Sequence, residues 1–265
     1  WRERSISDPR TWPGAPGLGP LTSCAADAVL AGTVCLDRYE ATVWRVPGPT
    51  TENQDLVTKI QTGVVTAEEL TSGGATQLGV ASDNYAPCMD SGQNCAEDIY
   101  AVSLPGVTPS ANLTWFQAQV ACKNARKRLP SNAEWQAGVV GTPDPGPDNE
   151  TTDCNSGAVV PAVSATGSRS SCVSADGAFD MVGNLDEWVA DWVPRSIAPC
   201  GTWNAGASPT ADYQCLAGAA TTGAPGALLR GSSFFFNNSA AGPLAVTGFS
   251  QPSDTSANIG FRCAR

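Results

Sequence analysis

The chain has 265 residues, a formal net charge of -10, ten cysteines and no histidine. Its acidity repels phosphate backbones and anionic headgroups, so neither nucleic acid nor a charged membrane surface is an expected partner, and no apolar run is long enough to span a bilayer. The lack of histidine excludes Cys₂His₂ zinc sites, His-based triads, HExxH proteases and His-ligated haem.

An even cysteine count without a CxxC pair, in a chain with 27 glycines and 20 prolines, points to five disulfides, many turns and little helix. The expected location is therefore oxidising: extracellular, cell-surface or periplasmic. Residues 1–23 are expected to form an extended arm, because Pro9, Pro13, Pro16 and Pro20 alternate with glycines. Residues 24–265 are expected to form one domain.

The first strand-like run is Gly32 to Trp44, GTVCLDRYEATVW. Residues 46–110 read as insertion-rich, with a capping-box start at Thr66 to Glu69 among Gly-rich and Asn-rich turns. The clearest helix is expected from about Leu113 to Arg126, capped by Asn112, with Phe116, Val120 and Cys122 along its apolar side. Lys123, Arg126, Lys127 and Arg128 suit the negative end of its dipole. Ser131 to Glu134 forms a second capping box, opening a helix that carries Trp135. Residues 141–176 read as loop. Three N-x-S/T sequons occur, at Asn112, Asn149 and Asn237.

The stretch Gly177 to Trp192, GAFDMVGNLDEWVADW, concentrates four carboxylates, Asp180, Asp186, Glu187 and Asp191. An Asn–carbonyl–Glu cluster on a turn offers hard oxygen ligands to a cation such as Ca²⁺, whereas an acid/base pair needs two carboxylates in different environments. The competing reading is a strand whose Trp188 and Trp192 fill a core while its acids face water. Near the C-terminus, RGSSFFF and IGFRCAR give two strand signals around a polar connection, and alternation points Phe235 into a core.

Four blocks in order, CLDRYEATVW, LTWFQAQVACKNARKRLPSNAEW, GAFDMVGNLDEWVADW, and LLRGSSFFF with IGFRCA, resemble the sulfatase-modifying-factor family, whose best known member is the formylglycine-generating enzyme. The resemblance implies an irregular, loop-rich α+β fold related to C-type lectins, with two main helices, short antiparallel strands and bound Ca²⁺. It implies a disulfide between Cys122 and Cys263, which leaves Cys24 with Cys35, Cys88 with Cys95, Cys154 with Cys172, and Cys200 with Cys215. It also offers Asn184, Glu187 and main-chain oxygen near Leu185 as Ca²⁺ ligands. A second Ca²⁺ position would fall around Asn155 and Ser156, where the expected acidic ligand is missing.

Catalysis in the formylglycine-generating enzyme resembles copper chemistry, with two cysteine thiolates holding Cu(I), a soft ion that prefers soft ligands. Laid on that pattern, RGSSFFFNNSAAGPL puts Phe236 and Ala241 at the two thiolate positions, and a family arginine falls on Phe249. Copper is therefore not expected. The expected function is a non-catalytic binding or assembly protein that recognises a protein, peptide or glycan, or a second copy of itself, at the cell surface. Its expected binding surface comprises Phe236, Asn237, Asn238, Ser239, Phe249, Gln251, Ser253 and Asp254. The alternatives are a retroelement-diversified variable protein, an oxidase with displaced ligands, and a Ca²⁺-dependent lectin, for which Gln251-Pro252-Ser253 is a weak echo of the usual sugar-reading triplet.

Overall fold

A tight hairpin opens the fold: β1 (Ala28–Ala31) pairs antiparallel with β2 (Val34–Asp37), and Gly32, at φ +62°, supplies the left-handed turn between them. The computed structural model describes residues 23–95, 98–144, 148–157, 162–202, 212–220, 222–235 and 240–265. All of the expected N-terminal arm except Ser23 lies outside these residues.

β3 (Ala41–Arg45) is the centre of a three-stranded antiparallel sheet, flanked by β4 (Thr76–Leu78) and β5 (Ile99–Ser103). Between β3 and β4 run two helices, α1 (Gln54–Thr62) and α2 (Ala67–Ser72). The capping box expected at Thr66 is formed: its side chain accepts from Glu69 N while the Glu69 carboxylate accepts from Thr66 N. The region read as insertion-rich thus carries its own core, in which Leu56, Ile60 and Leu70 pack with Trp44, Tyr100 and Val102.

The long helix is shorter than expected. α3 spans Trp115–Asn124, because Thr114 rather than Asn112 is its cap: the Thr114 hydroxyl accepts from Gln117 N at 3.1 Å, and the Gln117 side chain accepts from Thr114 N at 3.0 Å. Asn112 instead sits at φ +58°, and Arg126, at φ +56°, lies past the helix end. α4 (Asn132–Gly138) follows, with the expected capping box of Ser131 and Glu134. Four helices are seen among the described residues: α3 and α4 are the two expected as main helices, α2 starts at the expected Thr66 capping box, and α1 is the addition.

The basic residues after α3 do more than answer a helix dipole. Lys127 is buried, with Nζ 2.6 Å from both Asp27 Oδ2 and Asp37 Oδ1, and Arg128 pairs with Glu134 at 2.7 Å. Asp27 also receives Arg265, so this ion cluster ties β1, β2, the end of α3 and the C-terminus together.

The third sheet holds six strands in the order β11-β6-β9-β10-β8-β7. They are β6 (Asp186–Val193), β7 (Gly201–Thr202), β8 (Tyr213–Cys215), β9 (Gly226–Arg230), β10 (Val246–Thr247) and β11 (Ile259–Phe261). Most pairings are antiparallel, but β11 with β6 and β10 with β8 are parallel, so the sheet is mixed. Side chains alternate across β6. Trp188 packs with Leu229 and Phe261 on one face, whereas Val189 joins Trp135 and Leu36 on the other.

Three expectations from the sequence are corrected. Asp180, Asp186 and Glu187 are buried, so these acids do not face water. Trp192 is 44% exposed rather than core: it lies in the exposed end of β6, where its ring packs edge-on against Trp115 and Phe116 instead of entering the interior. Phe235 is 67% exposed, because β9 ends at Arg230 and the three phenylalanines lie beyond it.

Five disulfides use all ten cysteines: Cys24–Cys35, Cys88–Cys95, Cys122–Cys263, Cys154–Cys172 and Cys200–Cys215. Cys122–Cys263 joins α3 to the chain just after β11 across a separation of 141 residues.

Candidate functional site

The turn before β6 is built by Gly183 and Asn184. Gly183 has φ +74°, and a Cβ there would lie 2.4 Å from Asn155 O, so only glycine fits this approach of two backbones. Asn184 then bonds on several sides: Oδ1 accepts from Asn155 Nδ2 at 3.0 Å and Ser164 N at 2.8 Å, while Nδ2 donates to Glu40 and to Ser164 O. The other Glu40 oxygen accepts from Leu185 N at 3.0 Å. Burial, reinforced by the nearby Asp180 and Glu187 charges, raises the Glu40 pKa well above the usual carboxylate range.

Glu187 points to the opposite face from Asp186. Its carboxylate receives Arg262 Nε at 2.7 and 2.9 Å, Arg262 Nη2 at 2.5 Å and Trp135 Nε1 at 2.7 Å. Arg262 is fully buried and also donates to the Asp37 and Phe179 carbonyls.

The residues that the resemblance offers to Ca²⁺ are thus engaged elsewhere: Asn184 Oδ1 faces two N–H donors, and Glu187 faces a guanidinium. They do not fit a Ca²⁺ shell, which needs several free oxygens converging on one point. Beside Asn155 lies a second buried cation, Arg169, with Nη1 2.9 Å from Asp148 Oδ1 and Nη2 3.5 Å from Asn155 Oδ1. Among the described residues, no three Asp, Glu, Cys or His side chains are grouped to hold a metal.

Asp186 opens onto the other face of the sheet, where a cavity of about 420 Å³ lies over β8, β9 and β10. Its wall includes Asp186, Tyr213, Ser232, Phe249, Asp254 and Asn258, and the Cys200–Cys215 disulfide borders it. Asn258 Nδ2 donates to Asp186 Oδ2 at 3.2 Å and to Ser233 Oγ at 3.2 Å. Burial dominates the Asp186 carboxyl and pushes its pKa up to about 7, against the hydrogen bonds of Ser233 and Asn258 and with the help of the Glu187 charge.

Ser232 sits at φ +63° in the turn after β9, and its buried Oγ has no hydrogen-bond partner. That turn is stitched to the Gly183 turn, since Gly183 N donates to Gly231 O and Phe234 N donates to Asn184 O. The acidic stretch therefore braces the loop that forms one side of the cavity.

Of the residues expected to form a binding surface, Phe249 and Asp254 line this cavity. Gln251 and Ser253 belong to the same turn, in which Gln251 N donates to Asp254 Oδ2 at 2.8 Å, but they are not part of the wall. Phe236, Asn237, Asn238 and Ser239 lie outside the described residues. Ala241, at a position where the family pattern calls for a thiolate, is buried among Leu228, Val246 and other apolar side chains.

Sequence reasoning missed Glu40, Tyr213 and Ser232. It grouped Asp186 with its neighbours without seeing that Asp186 alone of them faces the cavity. The strict two-residue period of a strand carried that signal, because Asp186 and Glu187 must diverge.

No curated protein matches the chain. Among solved structures it is similar to the Major Tropism Determinant M1 Variant, with a TM-score of 0.49 and 18% identity, covering 90% of this chain and 52% of that one. It therefore spans about half the length of that protein. It is also similar to PvdO from Pseudomonas aeruginosa, with a TM-score of 0.44 and 19% identity over 88% of this chain and 80% of that one. Treponema denticola variable protein 1 is similar over 60% of this chain and 71% of that one, with a TM-score of 0.37 and 19% identity. Residues 50–265 match the sulfatase-modifying factor enzyme 1-like domain, and the chain belongs to that family, with a loop-rich α+β fold closed by five disulfides.

Proposed function

We propose that this chain is a non-catalytic recognition protein of an oxidising compartment, which binds its ligand in the cavity beside Asp186. One observation carries the reading: every cysteine is consumed in a disulfide, including the pair that borders the cavity. A Cu(I) oxidase needs soft ligands, and with every cysteine paired only Met89 and Met181 remain, the first exposed and the second buried in a core cluster. The cavity has the size range of a small-molecule or side-chain pocket, and its mix of apolar wall with a few polar groups suits recognition.

The test is turnover. The non-reduced chain, loaded with Cu(I) and given oxygen and a cysteine-containing sulfatase peptide, is expected to leave the peptide cysteine unchanged by mass spectrometry. Conversion of that cysteine to formylglycine would overturn the reading.

A second reading is favoured by the origin of the wall, most of which comes from the single segment 245–259. One segment that supplies a binding surface is the arrangement a diversified variable protein would exploit. A near-identical template repeat and a reverse transcriptase beside the gene would support it, and their absence would count against it.

A further inference from the structure

The cavity holds acceptors and no cation. Asp186 and Asp254 are the carboxylic acids of its wall, no lysine or arginine lines it among the described residues, and the chain has no histidine. Arg230 of β9 is turned to other partners: it stacks over the Trp135 ring at 4.5 Å and donates to the Gln136 side chain and Pro243 O. An anionic ligand would meet two acidic side chains and, among the described residues, no facing cation.

A third acceptor comes from an independent observation. Ser232 lines the cavity, is 4% exposed, and has an Oγ without a partner, held there by a left-handed backbone that a serine seldom adopts. A buried hydroxyl left unmatched costs free energy unless a ligand or water completes it. The exposed ring of Phe249 stands at the rim, where an aromatic face attracts a cation.

We propose that the cavity binds an ammonium group, either of a free primary amine or at the end of a lysine side chain presented by a partner. An ammonium has three donors, and Asp186, Asp254 and Ser232 each bring an acceptor to the cavity wall, which Phe249 also lines. The proposal rests on the recognition reading above and adds the chemical class of its ligand.

The experiment is calorimetric titration of the full, non-reduced chain with n-butylamine and with the peptide acetyl-Gly-Lys-Gly-amide, against 1-butanol and butyrate as neutral and anionic probes. At least one amine is expected to bind, and the two controls are not. Tighter binding of the peptide identifies a lysine side chain as the source, and tighter binding of butylamine a free amine. Asp254→Asn and Phe249→Ala change exposed side chains and leave the fold intact; they are expected to weaken amine binding by about tenfold and about threefold. Asp186→Asn is expected to weaken it more than either.

Failure of both amines to bind, equal binding of butanol or butyrate, or unchanged affinity in the two exposed-residue variants would overturn the proposal. A neutral or anionic probe that binds in the cavity defeats the ammonium preference and leaves recognition standing. Copper-dependent peptide oxidation defeats the recognition reading whatever the amines do.

Discussion

Arg262 and Glu187 form a fully buried fork, with the guanidinium Nε and Nη2 both on one carboxylate that Trp135 also caps. The pair sits one residue away from Asp186 and fixes β6 against β11 and α4. Removing one partner leaves a charge in the interior, so Arg262→Met is expected to cost about 3–5 kcal/mol. The double variant with Glu187→Leu is expected to regain part of that loss, which urea denaturation of both variants measures.

The disulfides differ in what they restrain. Cys122–Cys263 closes a separation of 141 residues, and Cys88–Cys95 only 7. On the chain-entropy account, replacing the long-range pair by alanines should cost about 2–3 kcal/mol more than replacing the short one. Equal losses, read from guanidinium unfolding curves, would place the effect in native packing instead.

Acid groups in the interior set the pH dependence. Asp186 is pushed up to about 7 and Asp180 to about 6, in each case chiefly by burial. In the folded state these carboxyls hold protons that the unfolded chain releases near pH 4. Stability from them is therefore full below about pH 4 and declines as pH rises toward about 7, each group adding a slope that approaches ~1.4 kcal/mol per pH unit. Asp186→Asn should flatten that decline, as urea midpoints at several pH values would show. A slope unchanged by the substitution would assign the effect to other groups.

Chelation offers a separate check. The positions resembling calcium sites hold the buried guanidinium Arg169 and the Arg262–Glu187 pair, which bring their own charge into the interior. Chelation with EDTA is expected to leave the Tm of the chain where it was. A fall in Tm that added Ca²⁺ restores would show that the ion is bound after all.

The fold was legible where its cues are local. The capping boxes at Thr66 and Ser131 form as their residues dictate, and the disulfide pairs coincide with those drawn from chain order and family resemblance. α1 was not read, since only Leu56 and Ile60 are buried on it and two apolar anchors make a faint period. The site was less legible, because its partners are distant in sequence. Glu187 meets Arg262 75 residues later and Asp186 meets Asn258 72 residues later, so their burial could not be seen from a window around β6. Trp192 misled for a similar reason: it meets Trp115 and Phe116 of α3, far off in sequence, on the exposed end of β6.

The proposed function, recognition without copper oxidation, is tested most directly by the Cu(I) affinity of the native, non-reduced chain, measured by competition with a coloured Cu(I) chelator. The chain is expected to take no copper from the chelator, because its ten cysteines are all paired. Stoichiometric removal of one Cu(I) per chain, without added reductant for the disulfides, would contradict it.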